Sequence, residues 1–249
     1  ALCVGNSRLA FAVSAAFAAP LLYLTKDESG GFHVSGNSSD GKTSTLVAAS
    51  SVAGPPREYL QRWRTTDNSL EGLAARYCDA LLPLDDLGQS DAKTVGQSIY
   101  MLSNESGKAR MNDRAAMRAT TKWRLLFMST GEIGLADRMG EAGQKPRAGQ
   151  ELRMAEIPAD AGADMGVFEN IHGTATPELF SRRVTDAAGK YHGMALRAWL
   201  HKLAECDHES IAEQVETAAK LFIDAHLTSE AHGQAKRVAR RFALVGAAG

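Results

Sequence analysis

The sequence predicts an α/β fold in which a parallel sheet is followed by a helical C-terminal subdomain. Three observations support this prediction. Short apolar segments alternate with helical patterns up to about residue 175, which is typical of a parallel sheet. A glycine-rich turn at residues 36–43 joins one apolar segment to a helix. From about residue 176 the pattern is helical alone, with breaks near Gly189, His208 and Gly233.

The bulk composition is that of a packed globular protein. Of the 249 residues, 44% are hydrophobic and 23% are charged. The net charge of −1 indicates no general preference for nucleic acid or for a membrane surface, so any such partner must be recognised by a local patch. Cys3, Cys78 and Cys206 are widely spaced, which argues against a disulfide framework or a zinc site and favours a reducing, cytoplasmic compartment.

Three regions are expected along the chain. Residues 1–24 contain an apolar segment from Leu9 to Leu24 that has the composition of a signal-peptide core, but Pro20 interrupts it and it is too short and broken to span a bilayer. We therefore expect a buried helical segment packed on a core formed by residues 25–175. Residues 176–249 are expected to form the helical subdomain.

The core is expected to contain five strands. The apolar patterns predict strands at 31–35, 59–66, 80–84, 123–129 and 152–157, with helices at 43–52, 67–77, 91–104 and 135–142.

The turn at residues 36–43 fits the phosphate-loop pattern G-x-x-x-x-G-K-[ST] at every fixed position. Glycines let backbone amides turn inward around phosphates, and the helix that follows adds the positive end of its dipole. Lys42 would neutralise the β and γ phosphates and Thr43 would ligate Mg²⁺, so ATP and Mg²⁺ are the expected cofactors. The expected nucleotide-binding residues are Gly36, Asn37, Ser38, Ser39, Asp40, Gly41, Lys42, Thr43 and Ser44. The alternative is a chance match in a loop rich in Gly and Ser.

Two acidic residues, Asp85 and Asp86, follow the apolar segment at 80–84. A P-loop ATPase needs one carboxylate to hold the Mg²⁺ shell and a second to orient and deprotonate a water molecule. We expect Asp85 to take the first role and Asp86 the second. The alternative is an acidic turn after a strand, and Pro83 is unusual for a central strand because it removes a ladder hydrogen bond.

A full strand–helix unit, residues 59–77, separates the phosphate loop from the acidic strand. Such an extra strand marks the ASCE division of P-loop NTPases, which includes AAA+ and helicase-like proteins, whereas nucleoside kinases place the two strands side by side. By analogy of fold, this favours an ATPase over a small-molecule kinase.

Two further pairs of residues match parts of motor ATPases. Ser129 and Thr130 end the segment at 123–129, where a polar sensor contacts the γ-phosphate or the water; the alternative is a hydroxyl that caps the next helix. Arg147 and Arg153 flank a loop and are candidates for an arginine finger acting across a subunit interface in a homo-oligomer. The alternative is that both are ordinary surface arginines.

Basic residues are concentrated in two places. Residues 107–118 are expected to form a hairpin or long loop in which Lys108, Arg110, Arg114 and Arg118 would neutralise the backbone phosphates of single-stranded DNA. The alternative is a solvated basic loop. The basic helix at 233–241 either contributes a nucleotide-sensing arginine or presents a solvated face.

Taken together, these segments resemble a bacterial family known as domain of unknown function 927. The segments that carry the resemblance are GNSRLAFA (5–12), SGGFH (29–33), GNSSDGKT (36–43), WRTTDNSLE (63–71), LDDLGQ (84–89), GKAR (107–110), WRLLF (123–127), STGE (129–132), RAGQE (147–151), IPAD (157–160) and RFALV (241–245). Where the family usually has Leu-Asp-Glu, this chain has Asp86 in place of Glu.

The resemblance implies a helicase-like P-loop ATPase, similar to superfamily 3 and found in primase-helicases of bacteria and mobile elements. It implies Mg²⁺-dependent ATP hydrolysis coupled to translocation on, or unwinding of, DNA by an oligomer such as a hexameric ring. Two alternatives stay open: a nucleotide-binding switch that does not move along DNA, and a weakly active or inactive structural relative.

Overall fold

The computed structural model describes residues 1–108 and 120–249. The described residues contain a five-stranded parallel sheet with the order β2-β3-β4-β1-β5. Its strands are β1 (Gly30–Ser35), β2 (Gln61–Arg62), β3 (Ala80–Asp85), β4 (Leu125–Gly131) and β5 (Met154–Pro158). The α/β fold with a parallel sheet is confirmed.

Helices connect the strands and continue to the end of the chain. Up to β5 they are α1 (Ser7–Ala18), α2 (Leu21–Thr25), α3 (Lys42–Ala53), α4 (Pro56–Tyr59), α5 (Asp67–Arg76), α6 (Val95–Ser103), α7 (Leu135–Gly140) and α8 (Ala148–Glu151), with a 3₁₀ turn at Leu87–Gln89. After β5 they are α9 (Pro177–Lys190), α10 (Met194–Glu205), α11 (His208–His226) and α12 (Gly233–Ala248). The helical C-terminal part is therefore also confirmed.

The strand order brings the phosphate loop and the two acids to one edge of the sheet. β4 lies between β1, which leads into the loop, and β3, which ends in Asp85. All three strands are parallel, so their carboxyl ends face the same way, as ligand sites of open α/β sheets require. This order confirms the ASCE prediction made from the strand–helix unit between the two motifs.

Apolar side chains of the central strand alternate between two hydrophobic clusters, one on each face of the sheet. On β4, Leu126 and Met128 pack with α1, α3 and α9, whereas Leu125 and Phe127 pack with α5 and α6. All of β4 is buried. Burying each such side chain contributes about 1.5–3 kcal/mol, so the two-sided burial holds the central strands in register and makes the edge that bears the site rigid.

The second strand is much shorter than the sequence pattern predicts. A strand was expected over residues 59–66, but α4 occupies Pro56–Tyr59 and β2 covers only Gln61–Arg62. Pro56 explains the difference, because proline is well suited to the first turn of a helix. The short β2 also accommodates Pro83: β2 pairs with β3 only from Leu84 onward, so Pro83 precedes the paired stretch on that side.

The apolar segment at the start of the chain is two helices rather than the single helix expected. α1 ends at Ala18, and Pro20 is the N-cap of α2. α1 packs against α3 of the core and against α12 at the other end of the chain. Within residues 1–108 and 120–249, none of the helices has the length and apolar character that crossing a membrane would require.

The helices after β5 pack on the first half of the chain. α9 lies along α3, and α11 contacts both α12 and α2. The division into residues 1–24, 25–175 and 176–249 stays a prediction, but these contacts place α9 beside the helix that begins at the phosphate loop.

Candidate functional site

The phosphate loop leaves β1 at Ser35 and enters α3 at Lys42, as the sequence predicts. Gly41 is the N-cap of α3 and has φ +83°, a conformation that glycine adopts without the strain a side chain would add. Ser39 also has a positive φ of +70°. Two left-handed residues within three positions curl the backbone tightly, so its amides converge in front of the helix N-terminus.

Lys42 points back into this loop. Its Nζ donates to the carbonyl oxygen of Gly36 at 2.8 Å and to that of Asn37. The ammonium group therefore lies inside the curl of the loop, where a phosphate group would replace these neutral carbonyl acceptors with charged ones.

Asp40 is anchored through its backbone to the segment after β5. Its carbonyl oxygen accepts from the amide of Val167 at 2.9 Å. Its carboxylate lies beside Gly36, where a Cβ would be 2.7 Å from Oδ2. Gly36 therefore leaves room for the carboxylate of Asp40, and the loop carries this negative charge next to its first residue.

Asp85 is the centre of a hydroxyl cluster at the ends of β3 and β4. Its Oδ1 accepts from Oγ1 of Thr130 at 2.7 Å and from Oγ1 of Thr43 at 3.3 Å. Thr43 belongs to the phosphate loop, Asp85 ends β3 and Thr130 belongs to β4. Three separate parts of the chain thus bring oxygen atoms together, and two of them, Thr43 and Asp85, are the predicted Mg²⁺ ligands; that role stays a prediction.

The backbone of Asp86 is strained, and its carboxylate is held by a hydrogen bond from Gln89. Its φ of +60° and ψ of 77° are uncommon for a residue with a side chain and cost about 1–3 kcal/mol. Gln89 donates its Nε2 to Oδ2 of Asp86 at 2.6 Å, and the Asp86 amide donates to Oγ1 of Thr130 at 3.4 Å. The strain and these bonds turn the Asp86 side chain toward the same cavity as Asp85.

Ser129 and Thr130, the two candidate sensors, have different surroundings. Thr130 lines the cavity, whereas Ser129 is fully buried in the sheet. Oγ of Ser129 accepts from Nε1 of Trp63 at 2.8 Å and lies 2.8 Å from Nδ1 of His33. Because Thr130 lies in the cavity wall and Ser129 does not, Thr130 is the better placed of the two to contact a bound nucleotide.

His33 links Ser129 to the turn that follows β4. Its Nε2 lies 3.0 Å from the carbonyl oxygen of Ile133, which can only accept, so the proton is on Nε2. Nδ1 is then the acceptor of the Ser129 hydroxyl. Burial lowers the pKa of His33 below its ordinary 6.5, because the charged imidazolium would be desolvated there.

A cavity of about 800 Å³ joins these groups. Besides the loop, Asp85, Asp86 and Thr130, it is lined by residues that the sequence reasoning did not assign: Gln89, Glu132, Glu141, Glu178 and Ser181. Glu132 lies two residues after Thr130, and this proximity to the candidate sensors is the sequence signal that could have found it. Glu178 and Ser181 belong to α9, and Ser181 Oγ lies 2.6 Å from Ser44 Oγ; nothing in their local sequence indicates that α9 would reach the site.

The two candidate finger arginines lie away from the cavity of their own chain. Arg153 precedes β5 at the amino edge of the sheet, where it donates to the carbonyl of Gly149 at 2.9 Å and stacks over the ring of Tyr100. Arg147 is exposed at the start of α8. A role in trans, at the cavity of a neighbouring subunit, stays a prediction for both.

Of the predicted DNA-binding residues, the structure describes only Lys108, and Arg110, Arg114 and Arg118 lie outside the described residues. Lys108 is exposed and pairs with Asp67 at 3.0 Å. The flanks of the segment run antiparallel: Ser106 and Lys122 form an antiparallel bridge, and the amide of Gly107 donates to the carbonyl of Thr121 at 2.9 Å. The hairpin or long loop expected between these flanks stays a prediction.

The basic helix at 233–241 presents the expected solvated face at Lys236 and Arg237, which are exposed, and Arg241 is the exception. Arg241 in α12 is buried at the amino edge of the sheet, where it donates to the carbonyl of Leu152 at 3.0 Å. It is therefore neither a solvated residue nor a neighbour of the nucleotide cavity, which lies at the carboxyl edge.

The sheet order, the phosphate loop and the cavity define a P-loop NTPase fold of ASCE type. A family model described as "Domain of unknown function (DUF927)" matches residues 1–122. A solved structure described as "SCCmec type IV Cch - active helicase" is similar with a TM-score of 0.74 and 19% sequence identity. The family match confirms the resemblance seen in the sequence over the residues that it covers, and the structural match confirms the fold.

The aligned region makes up a different share of each of the two proteins. The alignment covers 98% of this chain and 43% of the other, so the chain spans less than half the length of that helicase. At 19% identity the similarity shows a shared fold and nothing finer. No curated protein matches this chain significantly.

Proposed function

We propose that this chain is the ATPase part of a helicase, which hydrolyses ATP with Mg²⁺ and couples hydrolysis to translocation on single-stranded DNA. One observation carries the proposal: the carboxylate of Asp85 accepts from Thr43 of the phosphate loop and from Thr130 of the neighbouring strand, inside the cavity that the loop faces. A P-loop ATPase holds Mg²⁺ with the loop hydroxyl and a carboxylate at the end of a neighbouring strand, and Thr43 and Asp85 are these two groups in one place.

The donor set fits Mg²⁺. The ion prefers oxygen ligands and is usually held by one or two protein groups together with substrate phosphates and water. Thr43 and Asp85 supply a hydroxyl and a carboxylate 3.3 Å apart, which could both turn toward one ion. Mg²⁺ bound there would neutralise the charge that develops on the transferred phosphoryl group.

The remaining groups divide the other tasks. Lys42 and the loop amides would hold the phosphates, and Thr130 would either orient Asp85, to which its single hydroxyl proton is donated here, or turn that proton to the γ-phosphate when nucleotide is bound. Asp86 would accept a proton from the attacking water, because its carboxylate faces the cavity and neighbours the Mg²⁺ ligand in sequence. Glu132 is exposed in the same cavity and is a further carboxylate in its wall.

Coupling to DNA is supported by three features. The flanks of residues 109–119 meet as the base of a hairpin, Lys108 beside them is exposed, and the structurally similar protein is described as an active helicase. Arg147 or Arg153 would complete the cavity of an adjacent subunit in a homo-oligomer such as a hexameric ring. A cytoplasmic location belongs to this proposal because ATP is available there.

An inactive or weakly active relative is the second candidate, and Asp86 favours it. Its carboxylate accepts from Gln89 at 2.6 Å, and aspartate is one methylene shorter than the usual glutamate. Both features hold the carboxylate back from a water on the γ-phosphate. This candidate predicts ATP binding without turnover, and a non-motor switch predicts turnover that DNA does not change.

ATP turnover measured with and without single-stranded DNA, across a Mg²⁺ titration, distinguishes the three candidates. The proposal predicts Mg²⁺-dependent turnover that rises with DNA and a larger assembly when sizing is done with ATP present. Unchanged turnover on adding DNA would support the switch. Binding with no turnover under any of these conditions would support the inactive relative.

A further inference from the structure

Arg241 of α12 carries a buried positive charge that the proposed ATPase site does not use. The residue is only 8% exposed. Its Nη1 donates to the carbonyls of Leu152 at 3.0 Å and Gly31 at 3.5 Å, while its Nε has no hydrogen-bond partner among the described residues. The neighbouring Arg240, in contrast, is paired with both Asp27 and Glu216.

The backbone beneath Arg241 is shaped to admit it. A Cβ on Gly30 would lie 2.2 Å from Nη2 and 2.4 Å from Nε, so only glycine lets the guanidinium lie flat on the start of β1. Burial there lowers the pKa of Arg241 to about 10; the charge of Glu28 opposes this shift, and that of Arg153 adds to it. A buried, incompletely paired cation is costly unless an anion joins it.

Two cavities open onto this guanidinium. One of about 320 Å³ lies toward Lys26 and Lys236, and one of about 220 Å³ lies toward Asn104 and Arg153. Both share Glu28, Arg237 and Arg241 in their walls. Either cavity is large enough for a single phosphate group.

The charge balance around these cavities is positive. Their walls carry six cations, namely Lys26, Arg153, Lys236, Arg237, Arg240 and Arg241. Asp27 and Arg240 pair with each other, so five cations remain against the carboxylates of Glu28 and Glu105, and Glu105 accepts from the amide and hydroxyl of Ser29. Exposed Glu28 is left to face the guanidinium groups of Arg237 and Arg241.

The location separates this place from the nucleotide cavity. Gly31 and Leu152 lie at the amino edge of β1 and β5, whereas the phosphate loop lies at the carboxyl edge. Asn104 and Glu105, in the wall of the smaller cavity, lie beside the antiparallel flanks of residues 109–119. An anion bound here would therefore sit next to the base of the expected DNA-binding hairpin.

We propose that Arg237 and Arg241, with the start of β1, form a second anion site that binds a phosphate group. Guanidinium groups are suited to this ligand, because their fixed N–H donors match the oxygens of phosphate in a bidentate way. The phosphate could belong to the backbone of single-stranded DNA, a source that rests on the proposed function, or it could be free phosphate. If Arg241 serves only to tie α12 to the sheet, phosphate has no effect on it.

NMR detection of the Arg241 Nε–H group tests the site directly, with inorganic phosphate and a single-stranded oligonucleotide as the two probes. The resonance is assigned by its loss in Arg241→Lys. Phosphate should shift it, and Arg237→Gln should raise the phosphate concentration required by about tenfold, because one charge-assisted contact is lost. Arg197→Gln, the same change at an exposed position of α10, should leave the titration unchanged.

The two probes separate the two sources. An oligonucleotide that shifts the same resonance and competes with phosphate identifies the DNA backbone, and a shift with phosphate alone keeps the site but refutes DNA as its occupant. A resonance that neither probe moves, or a titration unaltered by Arg237→Gln, overturns the proposal. Since the readout needs no hydrolysis, a failed ATPase assay would leave this result interpretable.

Discussion

Replacing Ser129 with alanine should destabilise the protein strongly, although only one oxygen is removed. Ser129 Oγ joins Nε1–H of Trp63 to Nδ1 of His33, at 2.8 Å in each case. Ser129 and His33 have no exposed surface and Trp63 is 2% exposed, so water cannot replace the hydroxyl. The substitution leaves one buried donor and one buried acceptor without partners.

The size of the effect follows from those two groups. A buried polar group that loses its partner costs about 1–3 kcal/mol, so the free energy of unfolding should fall by about 2–6 kcal/mol. Domains of this kind are stable by only about 5–15 kcal/mol, and the loss is therefore a large part of the total. ATP turnover per folded molecule should change far less, because Ser129 does not line the cavity.

Urea unfolding followed by tryptophan fluorescence measures this loss, and Ser50→Ala is the matched control. Ser50 is equally buried, but its Oγ has no hydrogen-bond partner among the described residues. Its replacement in α3 should be neutral or stabilising by about 0.5 kcal/mol, since alanine favours a helix. Equal effects of the two substitutions, or a loss below about 1 kcal/mol for Ser129→Ala, would refute the reasoning.

Three further predictions concern other parts of the chain. Asp86→Asn should lower turnover by about 10²–10⁴-fold with ATP affinity unchanged, as measured by steady-state and binding assays, because a general base is lost. The pKa of His33 is lower in the folded protein than its value near 6.5 in the unfolded chain. The free energy of unfolding should therefore fall as the pH drops below 6.5, by at most about 1.4 kcal/mol per pH unit, because the unfolded chain takes up the proton first. His33→Gln should remove this slope in a denaturant series. Gly30→Ala should cost about 1–3 kcal/mol in thermal or chemical unfolding, because its Cβ would overlap the guanidinium of Arg241, and Arg241→Ala should relieve much of this cost.

Much of the site could be predicted from the sequence because its parts are local. The phosphate loop and the pair Asp85–Asp86 are each contiguous, and each follows an apolar strand. Parallel strands place their carboxyl ends together, so the contact between Thr43 and Asp85 follows from the strand pattern once the sheet order is right.

The remainder depends on contacts between distant residues. The local sequence does not show whether Ser129 or Thr130 faces the cavity. Ser129 faces Trp63 and His33 instead, and both are distant from it in the sequence. Ser181 reaches the cavity only because α9 packs along α3. Arg241 is charged and lies on an amphipathic helix, so its sequence predicts exposure. Its burial depends on a contact with Gly30, which has no side chain to occupy the space of the guanidinium.

The rate of ATP hydrolysis by Lys42→Ala tests the central claim most directly. Lys202→Ala is the control, because Lys202 is exposed on α10 and pairs with Glu205 in the same helix. We expect wild type and Lys202→Ala to hydrolyse ATP at the same rate, and Lys42→Ala to be slower by about 10²-fold or more, since its ammonium group is the positive charge inside the loop. Hydrolysis by Lys42→Ala at the wild-type rate would contradict the assignment of this cavity as an ATPase site.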